Sequence, residues 1–392
     1  MIPRRGDEPG RCHDDELVGL EPAAALIRTA QTWAHDNLVP LNVSLETTLE
    51  CNIRCVHCYN FDRDEPRARR KSATACGSGA AHEATQLSTD ELLAVMGDVR
   101  AAGCLFLSLT GGEVLTHPDL FALLDRARDL NLAVQLLTNG TMLRPGIAGK
   151  LARYPNLLGA SISLYGASAG VHDGITQVVG SFVRTWEGVE RLRAAGVAVR
   201  LKFIVMRQNA HETEAMMQMA TARDFPYSVD LTITARHDGT DGSLAARVES
   251  AQLESLYRGP LRPLLPPGRR PPPAAETFNC NCARGNCAIS ATGDVYPCIS
   301  VPWSAGNVRQ QSFGDIWRGS PVFNHIRGLT LQSFAKCAPC PDRGYCTHDR
   351  GAAFNATGDY TGADPFLCET AALAHRLADE EPVTGSAAPE RR

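Results

Sequence analysis

The sequence predicts an α/β fold, a partial (β/α)6 TIM-like barrel followed by a smaller cysteine-rich module at the C-terminal end. Six strand-like runs alternate with helical patterns between residues 41 and 234, and such alternation implies a parallel sheet with right-handed crossovers. The chain has 392 residues, 44% hydrophobic and 21% charged, which suffices for two globular domains. Eleven of the 14 cysteines fall into two groups, near residue 55 and between residues 280 and 368, which favours metal or cluster ligation over a disulfide framework.

Residues 1–36 are predicted to form an N-terminal extension with one short amphipathic helix in the stretch PAAALIRTAQTWAHDNL. The first residues, MIPRRGDEPGRCHDDEL, are charged and lack the apolar core of a signal peptide, and no run of 18 apolar residues suggests a membrane span. We therefore expect a cytoplasmic protein, in a compartment that keeps thiols reduced. A net charge of −4 gives no strong attraction to nucleic acid or to an anionic membrane, and we expect neither as a partner.

Residues 37–257 are predicted to form the barrel. Helical patterns lie between its strand-like runs, and the first of them begins with a capping-box pattern, Ser88 followed by Glu91. In such barrels the active site lies at the carboxyl ends of the strands. The strand-like runs are 41–46, 104–110, 132–138, 159–165, 197–205 and 228–234.

Three segments interrupt or follow this alternation. Residues 67–86 have no periodicity and are predicted to be a mobile insertion in the first strand–helix loop. Residues 258–276 are rich in proline and are predicted to link the barrel to a cysteine-rich module at 277–375. The remaining residues, 376–392, are predicted to be a disordered tail.

The stretch CNIRCVHC, from Cys51 to Cys58, carries three cysteines spaced C-x3-C-x2-C directly after the first predicted strand. A structural zinc site completed by His57 or by a distant residue is one interpretation, although zinc sites usually use C-x2-C pairs. A [4Fe–4S] cluster held by Cys51, Cys55 and Cys58 accounts better for the missing fourth ligand. Its fourth iron is then open to a small molecule that binds through an amine and a carboxylate.

This spacing, together with the motif TGGE from Thr110 to Glu113 at the end of the second strand, resembles the radical S-adenosylmethionine (radical SAM) superfamily over residues 40–240. The resemblance implies that the cluster passes one electron to S-adenosylmethionine (SAM). It also implies that the resulting 5′-deoxyadenosyl radical abstracts a hydrogen atom from the substrate. The cofactor supplies this chemistry, and the protein orients and shields it.

The same resemblance implies which residues contact SAM. The two glycines of TGGE let the backbone approach the ligand closely, and the glutamate supplies negative charge for the methionine ammonium group. Ser163, in SISLYG, is expected at the ribose and His57 near the adenine, while Arg184 or Lys202 would pair with the SAM carboxylate. The predicted SAM-binding residues are Gly111, Gly112, Glu113, Asn139, Ser163, His57 and Arg184.

The C-terminal module resembles the SPASM domain of radical SAM peptide maturases, through the stretches CNCARGNCAISATGDVYPC and CAPCPDRGYC and a last cysteine. The resemblance implies a partial barrel with a SPASM-type auxiliary-cluster domain and up to two auxiliary [4Fe–4S] clusters. One cluster would be held completely, by Cys337, Cys340, Cys346 and Cys368. The other would be held by Cys282, Cys287 and Cys298.

The second auxiliary cluster has an incomplete ligand set. The family pattern places its fourth cysteine at position 350, where this chain has Arg350. Cys280, His348 and Asp349 are the nearest substitutes. Without a substitute, the cluster either has an open iron, which could bind a substrate thiolate, or is absent from this protein.

The resemblance predicts an enzyme that oxidises or crosslinks a ribosomally synthesised peptide, with auxiliary clusters taking the electron. Ile299 follows Cys298 where sulfatase-maturing relatives have an aspartate, which disfavours that subfamily. The alternative is a radical SAM oxidoreductase that acts on a small molecule, a sugar or a cofactor precursor. The intact C-x3-C-x2-C and TGGE motifs disfavour a third possibility, an iron–sulfur or zinc scaffold that binds a partner without catalysis. The expected partners are the substrate, a reductant such as flavodoxin or ferredoxin, and a separate peptide-recognition protein; no catalytic side chain is assigned.

Overall fold

The computed structural model describes residues 21–60, 85–265 and 280–380, and the side chains of these from residue 26 onward. Most of the predicted insertion, much of the predicted linker and residues 381–392 of the predicted tail lie outside the described residues. No helix in the described ranges is long and apolar enough to cross a bilayer.

One eight-stranded sheet forms the centre of the fold, in the order β6-β5-β4-β3-β2-β1-β7-β8. The first six strands are parallel and lie side by side in chain order, as the alternating pattern predicts. Their ends differ from the predicted runs by up to four residues. The strands are β1 Asn42–Glu46, β2 Phe106–Thr110, β3 Ala133–Thr138, β4 Leu157–Leu164, β5 Val199–Ile204, β6 Tyr227–Asp230, β7 Asn286–Ile289 and β8 Val295–Tyr296.

The helices between β1 and β6 all lie on one face of the sheet, because successive right-handed crossovers that step in one direction place every helix on the same side. The other face is then the inner wall of a partial barrel, and the predicted fold class is confirmed. The helices are α1 Glu21–Asp36, α2 Thr89–Ala101, α3 Leu120–Asp129, α4 Pro145–Leu151, α5 Ala169–Thr176, α6 Ser181–Ala194, α7 Thr213–Thr221, α8 Ser250–Arg258, α9 Phe313–Gly319, α10 Pro321–Gly328, α11 Arg350–Thr357 and α12 Pro365–Asp379.

Local sequence signals explain where several of these elements begin. The capping box predicted for α2 is present: the Ser88 hydroxyl accepts the Glu91 N–H, and the Ser88 N–H donates to the Glu91 carboxylate at 2.7 Å. In β2, Leu107 and Leu109 are buried beneath the helices, whereas the residues between them face the inner side. The helix α12 extends to Asp379, so residues 376–379 of the predicted tail are helical.

The short strands β7 and β8 were not predicted as part of the sheet. In the parallel pairing of β7 with β1, Cys287 lies opposite Val43. The turn to the antiparallel β8 contains Gly293, whose φ of 92° is unfavourable for residues with a side chain. Part of the cysteine-rich region thereby continues the barrel wall.

Contacts between Cα atoms divide the chain into two units. The sheet unit comprises Leu26–Val248 and Asn281–Gly328, and the C-terminal unit comprises Met1–Ala25, Glu249–Cys280 and Leu329–Arg392. The domain bounds predicted from the sequence stay a prediction.

Candidate active site

The three-cysteine loop follows the carboxyl end of β1 and is fixed by backbone hydrogen bonds to two neighbouring elements. The N–H groups of Arg54 and Val56 donate to carbonyl groups at the end of α5, at 2.8 and 3.1 Å. The N–H of Cys58 donates to the carbonyl of Cys55 at 3.1 Å, which folds the loop into a tight turn. Cys51, Cys55 and Cys58 are all partly exposed free thiols, at the end of the sheet where such folds perform chemistry.

Two glycines let the loop after β2 pack directly against the cysteine loop. The Gly112 N–H donates to the Thr48 carbonyl and the Glu113 N–H to the Glu50 carbonyl, both at 2.7 Å. A Cβ atom on Gly112 would lie 2.2 Å from the Glu50 carbonyl oxygen, and Gly111 has a φ of 135°. The sequence predicted that these glycines let the backbone approach the ligand closely. In the structure they also let the loop after β2 pack closely against the cysteine loop.

Glu113 connects the loops that follow β2 and β3. Its side chain is 1% exposed and accepts hydrogen bonds from the Leu115 N–H at 3.0 Å, the Thr138 hydroxyl at 2.6 Å and the Asn139 N–H at 2.7 Å. Burial raises the pKa of Glu113, while these donors oppose the shift. A carboxylate has about four acceptor positions, so one remains for the predicted ammonium group.

Replacing Glu113 by glutamine is expected to lower the free energy of unfolding by about 1–3 kcal/mol, because the amide NH2 would face backbone or hydroxyl donors in a buried site. The folded pKa of Glu113 lies above the unfolded 4.5, so its contribution to stability falls as the pH rises from 4.5 through the folded value. The difference between the wild type and the variant should therefore narrow with rising pH. Urea unfolding across this pH range measures it.

The exposed Glu187, which pairs with Arg191 on α6, provides the matched control. Glu187→Gln should change the free energy of unfolding by less than about 0.5 kcal/mol. Equal effects of the two substitutions would contradict the role of Glu113 as a buried connector.

Asn139 orients the first part of the cysteine loop. Its amide nitrogen donates to the Asn52 side chain at 2.9 Å and lies 4.0 Å from the Cys51 sulfur. Its amide oxygen accepts from the Thr141 N–H and hydroxyl, and Asn52 in turn donates to the Thr141 hydroxyl at 2.7 Å. The side chain predicted to contact SAM is thus also engaged with the loop that carries the cysteines.

His57 and Tyr165 form an aromatic pair beside the cysteine loop. Their ring centroids are 4.7 Å apart, and Nδ1 of His57 is buried with no hydrogen-bond partner in the described part of the chain. Burial, with a smaller contribution from the charge of Lys202, lowers the pKa of His57 to about 4, so the ring is neutral at pH 7. Tyr165 is almost fully buried and interacts with Cys55 and Ser163. Tyr165 was not predicted as a site residue, although it follows Ser163 within SISLYG.

The remaining predicted SAM contacts lie in different environments. Ser163 and Lys202 are register partners on β4 and β5. Arg184, in contrast, lies on the surface of α6, where its guanidinium donates to the Val179 carbonyl at 3.3 Å. The structure brings the cysteines, TGGE, Asn139, His57 and Ser163 to one end of the sheet. The pairing of Arg184 with the SAM carboxylate stays a prediction.

Within the C-terminal unit, four cysteines predicted to hold one auxiliary cluster come close enough to interact electrostatically. Burial raises the pKa of the Cys346 thiol to about 11, and burial also raises the pKa of the Cys368 thiol. The Cys346 sulfur also accepts the N–H of His348 at 3.4 Å. The four residues are Cys337, Cys340, Cys346 and Cys368.

Position 350, where the family pattern has a cysteine, carries a buried arginine. Arg350 is 3% exposed, donates to the His348 carbonyl at 3.0 Å and places its guanidinium 5.0 Å from the centre of the Phe334 ring. Asp349 caps α11 by accepting the Ala352 N–H at 3.0 Å. The sulfur of Cys280 lies 3.5 Å from the Tyr360 hydroxyl. These side chains have structural partners, and the identity of a fourth ligand stays open.

The three cysteines of the other predicted auxiliary cluster lie in the sheet unit. Cys282 and Cys287 are 4% and 2% exposed, and the Cys298 sulfur lies 3.3 Å from the Ser300 hydroxyl. Burial raises the pKa of Cys287 well above its ordinary value, and the neighbouring thiols of Cys104 and Cys298 add to the shift. All twelve described cysteines are free thiols, so none of the described cysteines belongs to a disulfide framework.

Comparison with known families gives two matches. Residues 45–220 match the radical SAM superfamily, and residues 280–342 match the SPASM iron–sulfur cluster-binding domain. Over 352 residues the chain is 30% identical to the AdoMet-dependent heme synthase of Methanosarcina barkeri, covering 83% of this chain and 96% of the relative. The chain belongs to the radical SAM superfamily. This radical SAM protein is also 27% identical to the mycofactocin maturase of Mycobacterium ulcerans, over 87% of this chain and 91% of that one.

Among solved structures, SuiB of Streptococcus suis bound to its precursor peptide SuiA superposes with a TM-score of 0.60. The sequences are 15% identical, and the match covers 94% of this chain and 84% of SuiB. At this identity the likeness concerns the fold alone, and it agrees with the partial barrel and SPASM-type region of this radical SAM protein.

The residues present fit the cofactors that membership of the superfamily brings, a [4Fe–4S] cluster and SAM. Cys51, Cys55 and Cys58 supply three thiolate donors on one loop, and the buried Nδ1 of His57 beside them lacks a protein partner in the described chain. In the same ranges, no group of three or more His, Cys, Asp or Glu side chains is placed so that it could hold one metal ion. The cysteines of a [4Fe–4S] cluster bind separate irons, and the SPASM match implies at least one auxiliary cluster.

Proposed function

We propose that this radical SAM protein oxidises or crosslinks a ribosomally synthesised peptide. The observation that supports it best is the presence of two separate groups of free cysteines. One is a three-thiol loop at the carboxyl end of the sheet, and the other is a four-cysteine set in the C-terminal unit. Such an arrangement suits a net two-electron oxidation. The mycofactocin maturase relative and the fold of the peptide-bound SuiB point in the same direction.

When bound, the cluster and SAM together supply a carbon-centred radical that removes one hydrogen atom from the substrate. Cys51, Cys55 and Cys58 would hold the cluster, and Asn139 orients the loop from which Cys51 projects. Glu113 retains one acceptor position, which would be available to the SAM ammonium group. The auxiliary cysteines would hold a cluster that supplies an electron acceptor, so the substrate would lose its second hydrogen as a proton and an electron, and the crosslink would form with loss of two hydrogens.

An apolar cluster shields this chemistry from water. Tyr165, Ile175 and Met206 are buried together and pack against Cys55 and Val56 of the cysteine loop. Water exclusion strengthens electrostatic interactions and protects reactive species. The chain thereby closes one side of the site with its own side chains.

The inner face of the barrel carries two basic residues. Lys202 lies two residues from Ile204, which packs against the cysteine-loop cluster, so both side chains project from the inner face of β5. Arg200 projects from the same face, opposite Ser161 on β4. In the described chain, neither Arg200 nor Lys202 has a hydrogen-bond or ion-pair partner, although both are partly buried. Both cations suit an anionic group of the substrate, and the alternative pairing of Lys202, the register partner of Ser163, with the SAM carboxylate stays a prediction.

A small molecule that bears carboxylates is the second candidate substrate. It is favoured by these two cations together with the similarity to the AdoMet-dependent heme synthase of Methanosarcina barkeri. A cofactor precursor with acidic side chains would place its carboxylates on the same inner face. An acidic side chain of a peptide would use the same contacts.

Anaerobic co-expression with a candidate precursor peptide tests the proposed function. Mass spectrometry of the recovered peptide should reveal loss of two hydrogens for each modification. An unchanged peptide, combined with turnover of a small carboxylate by the same enzyme, would transfer the assignment to the second candidate. In this experiment the expression host supplies the reductant and any separate peptide-recognition protein. Both partners belong to the proposal.

Replacing Arg200 and Lys202 by methionine, singly, is expected to raise the free energy of unfolding by about 0.5–2 kcal/mol, because partly buried cations without partners are replaced by apolar side chains. The same variants should bind an anionic substrate at least about tenfold less tightly, since charge-assisted hydrogen bonds contribute about 1.5–3 kcal/mol. Urea unfolding and substrate titration measure the two effects. Arg153→Met, on an exposed residue, should leave both unchanged.

A further inference from the structure

We infer that Arg327 is the positioning residue of the auxiliary site formed by Cys282, Cys287 and Cys298, and that its guanidinium donates a hydrogen bond to cluster sulfur. The inference rests on the proposed assignment of these cysteines to a cluster. It adds a role for an arginine that neither the cysteine motifs nor the family matches single out. All residues concerned belong to the sheet unit.

Arg327 closes the loop that carries two of the cysteines. Its Nε donates to the Ala283 carbonyl at 2.7 Å, and Ala283 lies between Cys282 and Cys287 with a φ of 59°. The left-handed conformation at Ala283 is costly for a residue with a side chain, so the loop depends on contacts that hold it in place. Arg327 provides one such contact from the last turn of α10.

A second set of contacts fixes the plane of the guanidinium. Its Nη1 donates to the Trp317 carbonyl at 2.7 Å, and its carbon lies 4.6 Å from the centre of the Trp317 ring. The guanidinium carbon also lies 5.4 Å from the centre of the Phe323 ring. Because a guanidinium is planar and rigid, two fixed nitrogen atoms determine the direction of the third.

The third nitrogen, Nη2, is buried and has no hydrogen-bond partner among the described residues. A buried N–H without an acceptor costs about 1–3 kcal/mol, and more when it belongs to a charged group. The charge of Arg327 interacts with the thiol of Cys287. Thiolate and sulfide are the acceptors that a cluster at this site would present to Nη2.

A positive charge and an N–H···S hydrogen bond both favour the reduced state of a cluster, which carries one more negative charge. Hydrogen bonds to the sulfurs and net charge are among the factors that set the potential of iron–sulfur clusters. Arg327 therefore raises the reduction potential of this cluster and makes it a better acceptor for the electron that the substrate loses. The accompanying proton leaves to solvent.

The test is an anaerobic redox titration of the reconstituted holoenzyme, followed by electron paramagnetic resonance. Arg327→Met should lower the midpoint potential of one auxiliary signal by at least 59 mV, which for one electron corresponds to a tenfold change in the equilibrium constant. Arg327→Lys, which keeps the charge but loses the fork, should lower it less. The signal is assigned by its loss in Cys287→Ala, and the SAM-binding cluster is the internal standard.

Arg318→Met is the matched control, because Arg318 is an exposed arginine of α9 paired with Asp315. It should leave all potentials unchanged. Unchanged potentials in Arg327→Met with full iron content would overturn the inference. If the Arg327→Met variant does not assemble its auxiliary cluster, the Arg327→Lys variant decides the matter. A wild-type midpoint potential in Arg327→Lys would then overturn the inference.

Failure of the proposed function is a separate result. A wild-type enzyme without a signal assigned to Cys287 would overturn the inference, whatever substrate it converts. An enzyme that fails to convert any peptide but has the lowered potential in Arg327→Met supports the inference and contradicts only the peptide proposal.

Discussion

An enzyme in which Cys51, Cys55 and Cys58 are all replaced by alanine should release no detectable 5′-deoxyadenosine from SAM. The three thiols lie on one loop at the carboxyl end of β1, and their removal leaves the cluster without a protein ligand there. Backbone hydrogen bonds to α5 hold the loop itself, and others join the residues just before it to the loop after β2, so the fold should survive. The variant therefore separates loss of chemistry from loss of structure.

Iron and sulfide analysis of the same variant checks this expectation. Three [4Fe–4S] clusters contain about twelve irons, falling to about eight in the variant, and two clusters give about eight falling to about four. The starting value also reveals whether the site with Arg350 in place of a cysteine holds a cluster. Cys12→Ala is the control, since Cys12 belongs to neither of the two cysteine groups. Equal iron in variant and wild type would contradict the ligand assignment.

Replacing Gly112 by alanine should lower the rate of SAM cleavage by about a hundredfold, because small displacements of a reacting group have effects of this size. The new Cβ would meet the Glu50 carbonyl oxygen at 2.2 Å and its carbon at 2.6 Å. Both atoms belong to backbone, and the hydrogen bonds from Gly112 and Glu113 hold the two loops together. The cysteine loop must therefore move, at a cost of about 1–3 kcal/mol in stability.

The control is Gly149→Ala in α4, where a Cβ meets nothing within 4 Å. Because alanine is favoured over glycine inside a helix, this variant should be more stable by about 0.5–1 kcal/mol and fully active. Rates of 5′-deoxyadenosine formation and urea unfolding compare the two. Full activity of Gly112→Ala would contradict the requirement for close contact between the loops.

Periodicity was sufficient to predict β1 to β6 and their parallel order, because each strand and helix in this region is long enough to repeat its pattern. The capping box at Ser88 was equally local and is confirmed. The strands β7 and β8 contain four and two residues, too few for a period, and β7 pairs with a strand more than 200 residues earlier in the chain. Only the tertiary structure reveals that pairing.

Site residues could be predicted from the sequence where their role depends on the spacing of cysteines. They could not be predicted where their role depends on the direction of a side chain. Cysteine spacing indicated which thiols belong together, and in the C-terminal unit Cys346 and Cys368 each interact electrostatically with Cys337. The assignment of these cysteines as ligands of one cluster stays a prediction. Spacing could not indicate that the side chain of Arg184 lies along the surface toward Val179. Nor could it indicate that Arg327 contacts the loop at Ala283, since the two are separated by 44 residues.

The pairing of β7 with β1 relates the position of Cys287 to that of the cysteine loop through the length of one strand. Cys287 lies opposite Val43, and the other end of β1 continues into the loop of Cys51. A parallel strand advances about 3.3 Å per residue, so the segment from Val43 to Glu46 fixes about 10 Å of that separation. A deletion within β1 would shift the side chains beyond it to the opposite face and bring the cysteine loop closer to Cys287. If the proposed cluster at Cys287 accepts the electron, the length of this strand would also set the distance that the electron travels.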